Sequence, residues 1–237
     1  MSPRAIAWDV DGTLIDSEPQ HLRTLLAVAA KHGADLSDLP DEHFIGLGLD
    51  DVWREIGGRF PASLGFDAWI AAINGDYVAQ RDRLPVPPET PALVAQIAAA
   101  GLVQVAVSNS HRCIVDANLD VLGIGDHLAF SLSLDDVPVG KPDPAPYRLA
   151  AERLGLAPGD LLAVEDSASG LASARAAGCI TAGLAADDRA WPQADHTIRH
   201  LAEIPGLLAA LGVDLLDQRH HRDQQHHRER NSFHDLH

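Results

Sequence analysis

Residues 5–18 read AIAWDVDGTLIDSE, an apolar, strand-like run that ends in two aspartates one residue apart, with glycine and threonine directly behind. A strand period of two puts Asp9 and Asp11 on the same side of the chain where the strand expires. Gly12 permits a sharp turn, and Thr13 can hydrogen-bond within it. Two ionised carboxylates repel by ~4 kcal/mol at 4 Å and an effective dielectric near 20. A plain Asp/Gly turn does not call for such a pair, so something must offset the repulsion.

Outward from that stretch, short apolar runs alternate with alanine- and leucine-rich helical patterns. The pattern predicts strands over 4–10, 104–109, 129–132, 161–165 and 180–183, and helices over 89–100, 112–122, 145–154 and 169–177. Gly101, Gly123, Gly155 and Gly178 stand where left-handed helix stops are expected. This rhythm points to an α/β fold with a doubly wound parallel sheet, covered on both faces.

Residues 17–84 break the rhythm with helical patterns and no convincing strand. SEPQ (17–20) reads as a helix start, with Ser17 as N-cap, Pro19 in the first turn and Gln20 completing a capping box. The expected organisation is a core domain of 1–16 and 85–216, with a helical domain of 17–84 inserted after the first strand. The proline cluster LPVPPETP (84–91) serves as return linker. Residues 217–237 are polar, lack apolar periodicity and carry six histidines. They are expected to form a disordered, solvated tail rather than a metal site.

At 237 residues, with 46% hydrophobic and 22% charged content, the chain is ordinary for a globular enzyme. A net charge of −16 argues against nucleic acid or an anionic membrane as partner. No apolar run is long enough to span a bilayer, and the N-terminus lacks a secretory pattern. Two unpaired cysteines, Cys113 and Cys179, fit a reducing cytoplasm.

In a parallel α/β sheet, sites gather beyond the carboxyl ends of strands, and four expected strand ends here carry polar groups. DVDGT offers a carboxylate nucleophile, Asp9, beside a proton-transferring one, Asp11. VAVSNS ends in Ser108 and Asn109, a hydroxyl and backbone N–H groups suited to an anion, though the same pair commonly caps helices. VGKPDP presents Lys141, an ammonium that can neutralise a phosphate or hold an aspartate. LLAVEDSASGL puts Glu165 and Asp166 after an apolar strand, oxygen ligands of the kind Mg²⁺ prefers. Each motif alone has a bland reading as a turn, a cap or a solvated lysine. Together they make a strongly anionic pocket in which Mg²⁺ would offset the repulsion and a phosphate would bridge metal, lysine and serine.

The order and spacing of DVDGTLIDSE, VSNS, GKPDP and VEDSASG, with the helical insertion after the first, resemble the haloacid dehalogenase-like superfamily. The likeness is to its phosphatase and β-phosphoglucomutase branch and covers roughly residues 5–211. The resemblance implies Asp9 as a nucleophile that becomes an aspartyl-phosphate and Asp11 as general acid and base. It implies Ser108 and Lys141 as the phosphate-binding pair, with Asn109 beside them and Lys141 also restraining Asp9. The metal ligands implied are Asp9, Asp166, the backbone carbonyl of Asp11, and Glu165 in or near the coordination shell. Asp11 argues against the dehalogenase and phosphonate-cleaving branches, which lack a second acid there.

His21 and Gly46 match cap positions of the mutase type, but Ile45 and Leu49 stand where that type carries lysine and arginine for a distal phosphate. A phosphatase is therefore expected, with a sugar phosphomutase as the alternative. His21, Leu47, Leu49 and Asp50 are the candidates to face the cleft, although Leu47 and Leu49 suit the cap core equally. An apolar, weakly acidic cap face suggests a sugar or polyol phosphate. The expected partner is a small phosphate ester, and the expected state a monomer or weak homodimer. A cap-bearing binding protein without activity would be expected to have lost one of the core acids or Lys141; all are present.

Overall fold

The computed structural model describes residues 2–44, 47–185, 191–213 and 215. Six strands, β1 (Ala5–Trp8), β2 (Val103–Val107), β3 (Phe130–Leu132), β4 (Leu161–Glu165), β5 (Ile180–Leu184) and β6 (His196–Ile198), form one sheet in the order β3-β2-β1-β4-β5-β6. Every pairing is parallel, and Ala5 of β1 lies in register with both Val103 and Leu161. The helices are α1 (Glu18–Lys31), α2 (Leu49–Ile56), α3 (Phe66–Ala79), α4 (Glu89–Ala99), α5 (Arg112–Leu122), α6 (Ala145–Leu154), α7 (Ala168–Ala177) and α8 (Ile204–Ala210).

The central strand is buried on both faces, which explains its lack of apolar/polar alternation. Ile6, Trp8 and Val10 enter the larger cluster with Val94, Ile97, Ile114 and Leu162. Ala5 and Ala7 face the other way, where their small size admits Tyr147 and Ala150 of α6 and Ala174 of α7. Burying side chains of the first set is worth ~1.5–3 kcal/mol each, enough to hold a strand only four residues long. The polar edge of Trp8 is satisfied by Gln104, whose own amide donates to the Val94 carbonyl at 3.0 Å.

The core helices α4 to α7 fall within a residue of the sequence pattern, and Gly101, Gly123, Gly155 and Gly178 follow them with φ of 88°, 64°, 65° and 95°. Three expectations need correction. Strand β6 was not anticipated: it is three residues long and mostly polar, and a bonded exchange between Thr181 and Asp195 anchors it beside β5. Ser17 does not cap α1 with its side chain, because its hydroxyl donates to Asp11 instead. The return linker is shorter than 84–91: α4 begins at Glu89 and takes Pro91 into its first turn, where a missing N–H costs nothing.

Helices α1 to α3 share a separate apolar cluster containing Leu25, Val28, Val52, Ile56, Trp69 and Ile73, lined by stacked Trp53 and Phe60. Tyr77, near the end of α3, instead joins the larger cluster under the sheet. No helix among the described residues is long and apolar enough to cross a membrane. The readings of Ile45, Gly46 and the 217–237 tail lie outside the described residues.

Candidate active site

Strand β1 leads toward β2 on one side and β4 on the other, so the crevice at its carboxyl end is a topological switch point of the sheet. Backbone bonds from Asp9 N–H to the Val164 carbonyl and from Ser108 N–H to the Leu132 carbonyl, each 3.0 Å, carry the ladder to its rim. Lys141 reaches the rim from the loop after β3. Its backbone is clamped by Asn109, whose side-chain carbonyl accepts from Lys141 N–H at 2.7 Å and whose amide donates to the Lys141 carbonyl at 2.9 Å. Both polar ends of the Asn109 side chain are thus committed to presenting the lysine.

The Lys141 ammonium is buried and donates to Asp9 Oδ1 at 2.7 Å, Glu165 Oε1 at 2.6 Å and the Val107 carbonyl at 2.7 Å. Those contacts use all of its donors. Burial alone would discharge it, but the Asp9 and Glu165 charges outweigh burial and hold it above its ordinary value of 10.5. Glu165 is wholly buried, accepts from Tyr147 as well as Lys141, and is raised chiefly by burial, with the Asp9 charge adding to it. Burial, opposed by Lys141 and reinforced by Asp11, raises Asp9 too.

Asp11 behaves oppositely. Its Oδ1 accepts from Ser17 at 2.7 Å and Asn118 at 2.8 Å, with His21 Nε2 at 3.2 Å. Its Oδ2 accepts from Ser108 at 3.1 Å and Ser110 at 2.8 Å. Burial pushes its pKa up, but His21, Ser17 and Ser110 overcome that and hold it below the ordinary carboxylate range. Protein donors therefore account for the tolerance of one aspartate of the pair. Asp9 still has an unmet need: its Oδ2 is buried and has no hydrogen-bond partner among the described residues.

One oxygen from each of Asp9, Glu165 and Asp166 lies within 4.8 Å of the others, an all-oxygen set suited to a hard divalent cation. With Glu165 engaged by Lys141 and Tyr147, Asp9 Oδ2 and Asp166 are the freer donors, and the orphaned oxygen fits a metal. Burial and the Asp9 charge push Asp166 up to about 7, and Thr13 donates to it at 3.3 Å rather than within its own turn.

Gly12 makes this approach possible. Its φ is 82°, and a Cβ there would lie 2.1 Å from Asp166 Oδ2. Gly12→Ala combines a left-handed penalty of ~1–2 kcal/mol with overpacking against the acid. It is expected to lower Tm by several degrees and turnover at least tenfold, checked by thermal melts and phosphate release.

Of the cap candidates, His21 reaches the site and stacks on Tyr77 with ring centres 4.6 Å apart. Leu49 packs against the helical apolar cluster, Leu47 is 40% exposed, and Gly46 lies outside the described residues. Sequence reasoning missed Ser110, Asn118, Tyr77 and Tyr147. A signal existed for Asn118, the polar member of a buried stripe with Ile114, Val115, Leu119 and Leu122 on α5.

Residues 3–178 match the haloacid dehalogenase-like hydrolase family. The chain is 33% identical over 229 residues to a phosphoglycolate phosphatase of Yersinia pseudotuberculosis, covering 90% of this chain and 95% of that protein. It is 32% identical over 194 residues to the plasmid protein CbbY of Cupriavidus necator, covering 75% of this chain and 76% of that one. A mutant CbbY of Rhodobacter sphaeroides, solved in complex with xylulose-(1,5)bisphosphate, superposes with a TM-score of 0.72 at 26% identity, over 85% of this chain and 96% of that one. The parallel sheet, the acidic crevice and these likenesses agree: the chain belongs to the haloacid dehalogenase-like hydrolases, on the phosphoric monoester hydrolase side of that family.

Proposed function

We propose that this chain is a Mg²⁺-dependent phosphatase that hydrolyses a small sugar or polyol phosphate through an aspartyl-phosphate on Asp9. The observation that carries the reading is the division of Asp9: Lys141 holds Oδ1, Oδ2 is buried without a hydrogen-bond partner among the described residues, and an oxygen of Asp9 lies within 4.8 Å of oxygens of Asp166 and Glu165. A carboxylate is a weak nucleophile, and fixing its orientation against a bound phosphate makes attack nearly unimolecular. Asp9 forms a bond to phosphorus as the ester P–O bond breaks; Asp11, ionised in the free site, takes up a proton with the incoming monoester anion and gives it to the departing oxygen. Asp11 then takes a proton from water, which attacks phosphorus, releases inorganic phosphate and restores Asp9. Ser108 and the backbone at Asn109 receive the phosphoryl oxygens, and Lys141 contributes its charge through Asp9. Mg²⁺, held by Asp9, Asp166 and the Asp11 carbonyl with Glu165 adjoining, would supply positive charge to those oxygens.

In this reading residues 17–84 act as a cap over a core of 1–16 and 85–216, supported by the separate apolar cluster of α1 to α3. Within residues 17–84, Arg54 and Arg59 are already paired with the carboxylates of Asp51 and Asp38, while Arg23 hydrogen-bonds the Gln20 amide. That pairing favours a neutral leaving group over one with a second phosphate or a carboxylate.

The test is phosphate release across sugar and polyol monophosphates, phosphoglycolate and bisphosphates, with Mg²⁺ and with chelator. Metal-dependent release from a sugar or polyol phosphate is expected. Preference for bisphosphates or phosphoglycolate would overturn the neutral leaving group, and conversion of β-glucose 1-phosphate to the 6-phosphate without release would make the chain a mutase. Thermal shift gives a second readout. Because the pKa of Asp166 is raised from 3.8 to about 7, the folded state binds its proton more tightly than the unfolded chain, and the metal-free protein loses stability from this group as pH rises across that window. Mg²⁺ requires the ionised acid, so it is expected to raise Tm more at pH 8 than at pH 5.

A further inference from the structure

The two oxygens of Asp11 have different partners: Oδ2 meets hydroxyls alone, whereas Oδ1 meets the Asn118 amide and His21 as well as the Ser17 hydroxyl. Oδ2 faces the hydroxyls of Ser108 and Ser110, on the phosphate side of the crevice. A hydroxyl can rotate from donor to acceptor, so Oδ2 can carry a proton without losing its neighbours. Oδ1 faces away from them and accepts from the Asn118 amide at 2.8 Å. An amide N–H can only donate.

Asn118 is itself fixed. It is fully buried, and its side-chain carbonyl accepts from the Tyr77 hydroxyl at 2.8 Å, Tyr77 being fully buried as well. Tyr77 stacks on His21, which also contacts Asp11 Oδ1. Two uncharged polar groups buried together in an apolar cluster cost desolvation that only well-made hydrogen bonds recover. A leucine at 118 would suit the buried stripe of α5 better on packing alone.

We propose that Asn118, oriented by Tyr77, is a positioning residue that anchors Oδ1 of Asp11 and so directs the proton-bearing Oδ2 at the ester oxygen. In the step this serves, the Oδ2–H bond breaks and its proton passes to the ester oxygen. That oxygen keeps the electron pair of the breaking P–O bond while Asp9 bonds to phosphorus. The inference rests on the phosphatase reading and adds to it a device linking α3 of the helical insertion to the acid through α5 of the core.

The experiment compares kcat/KM for two substrates that differ in their need for that proton: glycerol 2-phosphate, whose alkoxide must be protonated, and 4-nitrophenyl phosphate, whose phenolate leaves unaided. kcat/KM reports the first phosphoryl transfer and is blind to later hydrolysis. General acid catalysis is worth ~10²–10⁴-fold, and a misaimed acid loses part of it. Asn118→Leu and the gentler Tyr77→Phe are expected to lower kcat/KM for glycerol 2-phosphate by ~10-fold or more and for 4-nitrophenyl phosphate much less. Equal losses on both substrates, or none, would overturn the positioning role, and Tyr77→Phe decides the matter if Asn118→Leu fails to fold. Asp11→Asn is the companion measurement: if it too shows no leaving-group selectivity, the acid role of Asp11 falls. A selective Asp11→Asn beside unselective Asn118→Leu and Tyr77→Phe removes the positioning role alone.

Discussion

Asp9→Asn is expected to abolish steady-state phosphate release, by ~10⁴–10⁶-fold as for other nucleophile deletions, while leaving the fold intact. The amide is isosteric and can still accept from Lys141 at the Oδ1 position, so the contacts of Val10 and Trp8 beneath it are undisturbed. It removes the negative charge that attacks phosphorus and the charge that holds Lys141 up. Mass spectrometry of acid-quenched reactions supplies the second readout: a phosphorylated wild-type protein and an unmodified variant. Retained turnover without deamidation back to aspartate would remove Asp9 as nucleophile.

Lys141→Met is expected to have the largest effect on stability. The variant keeps an unbranched chain as far as Cε but leaves Asp9 and Glu165 buried without their shared cation. Breaking a buried pair on one side costs ~3–5 kcal/mol, because the remaining charge keeps its desolvation penalty. The penalty has a sign in pH. Lys141 lowers the pKa of both acids against the burial that raises them, so its loss raises both further. A raised carboxylate costs nothing below its unfolded value and progressively more above it. Wild type loses the same stability until its own acids ionise, so denaturant melts should show a deficit that is small at pH 5 and opens as pH rises through the wild-type value of Glu165, about 8. A deficit independent of pH would mean that the lysine contributes packing alone. Lys141→Arg is not expected to rescue, since a planar guanidinium cannot take the place of a compact ammonium inside this triangle of acceptors.

The sheet and the core acids were legible in the sequence because each depends on local pattern. A strand buried on both faces is continuously apolar, a helix ends at a glycine, and the chemistry follows directly where the apolar run stops. What was not legible depends on partners distant in sequence. Ser17 has every local mark of a helix cap, yet its hydroxyl serves Asp11, and nothing at 17–20 announces that choice. Asn109 reads as an anion contact until Lys141, arriving after another strand, takes both ends of its amide. Tyr147 reads as an ordinary helix aromatic, and its role as a donor to Glu165 follows only from the packing of α6 beside β2. Strand β6 lacked an apolar signature because Ile198 is its one buried residue, and the ladder to β5 together with the Thr181–Asp195 bonds holds the rest to the edge.

The place of β1 between β2 and β4 governs when this chemistry can come into being. During synthesis Asp9 and Asp11 emerge well before the neighbours of their strand, which pairs in register with residues 103 and 161. Pairings so distant in sequence form late and slowly. Lys141, which neutralises the Asp9 charge, and Glu165, which shares that lysine, arrive with them. Until then the first motif is a solvated pair of acids that meets no desolvation penalty and can do no chemistry. Activity should therefore appear in one step as the sheet closes, and a nascent chain or fragment ending before β4 should be inactive however well its helices have formed.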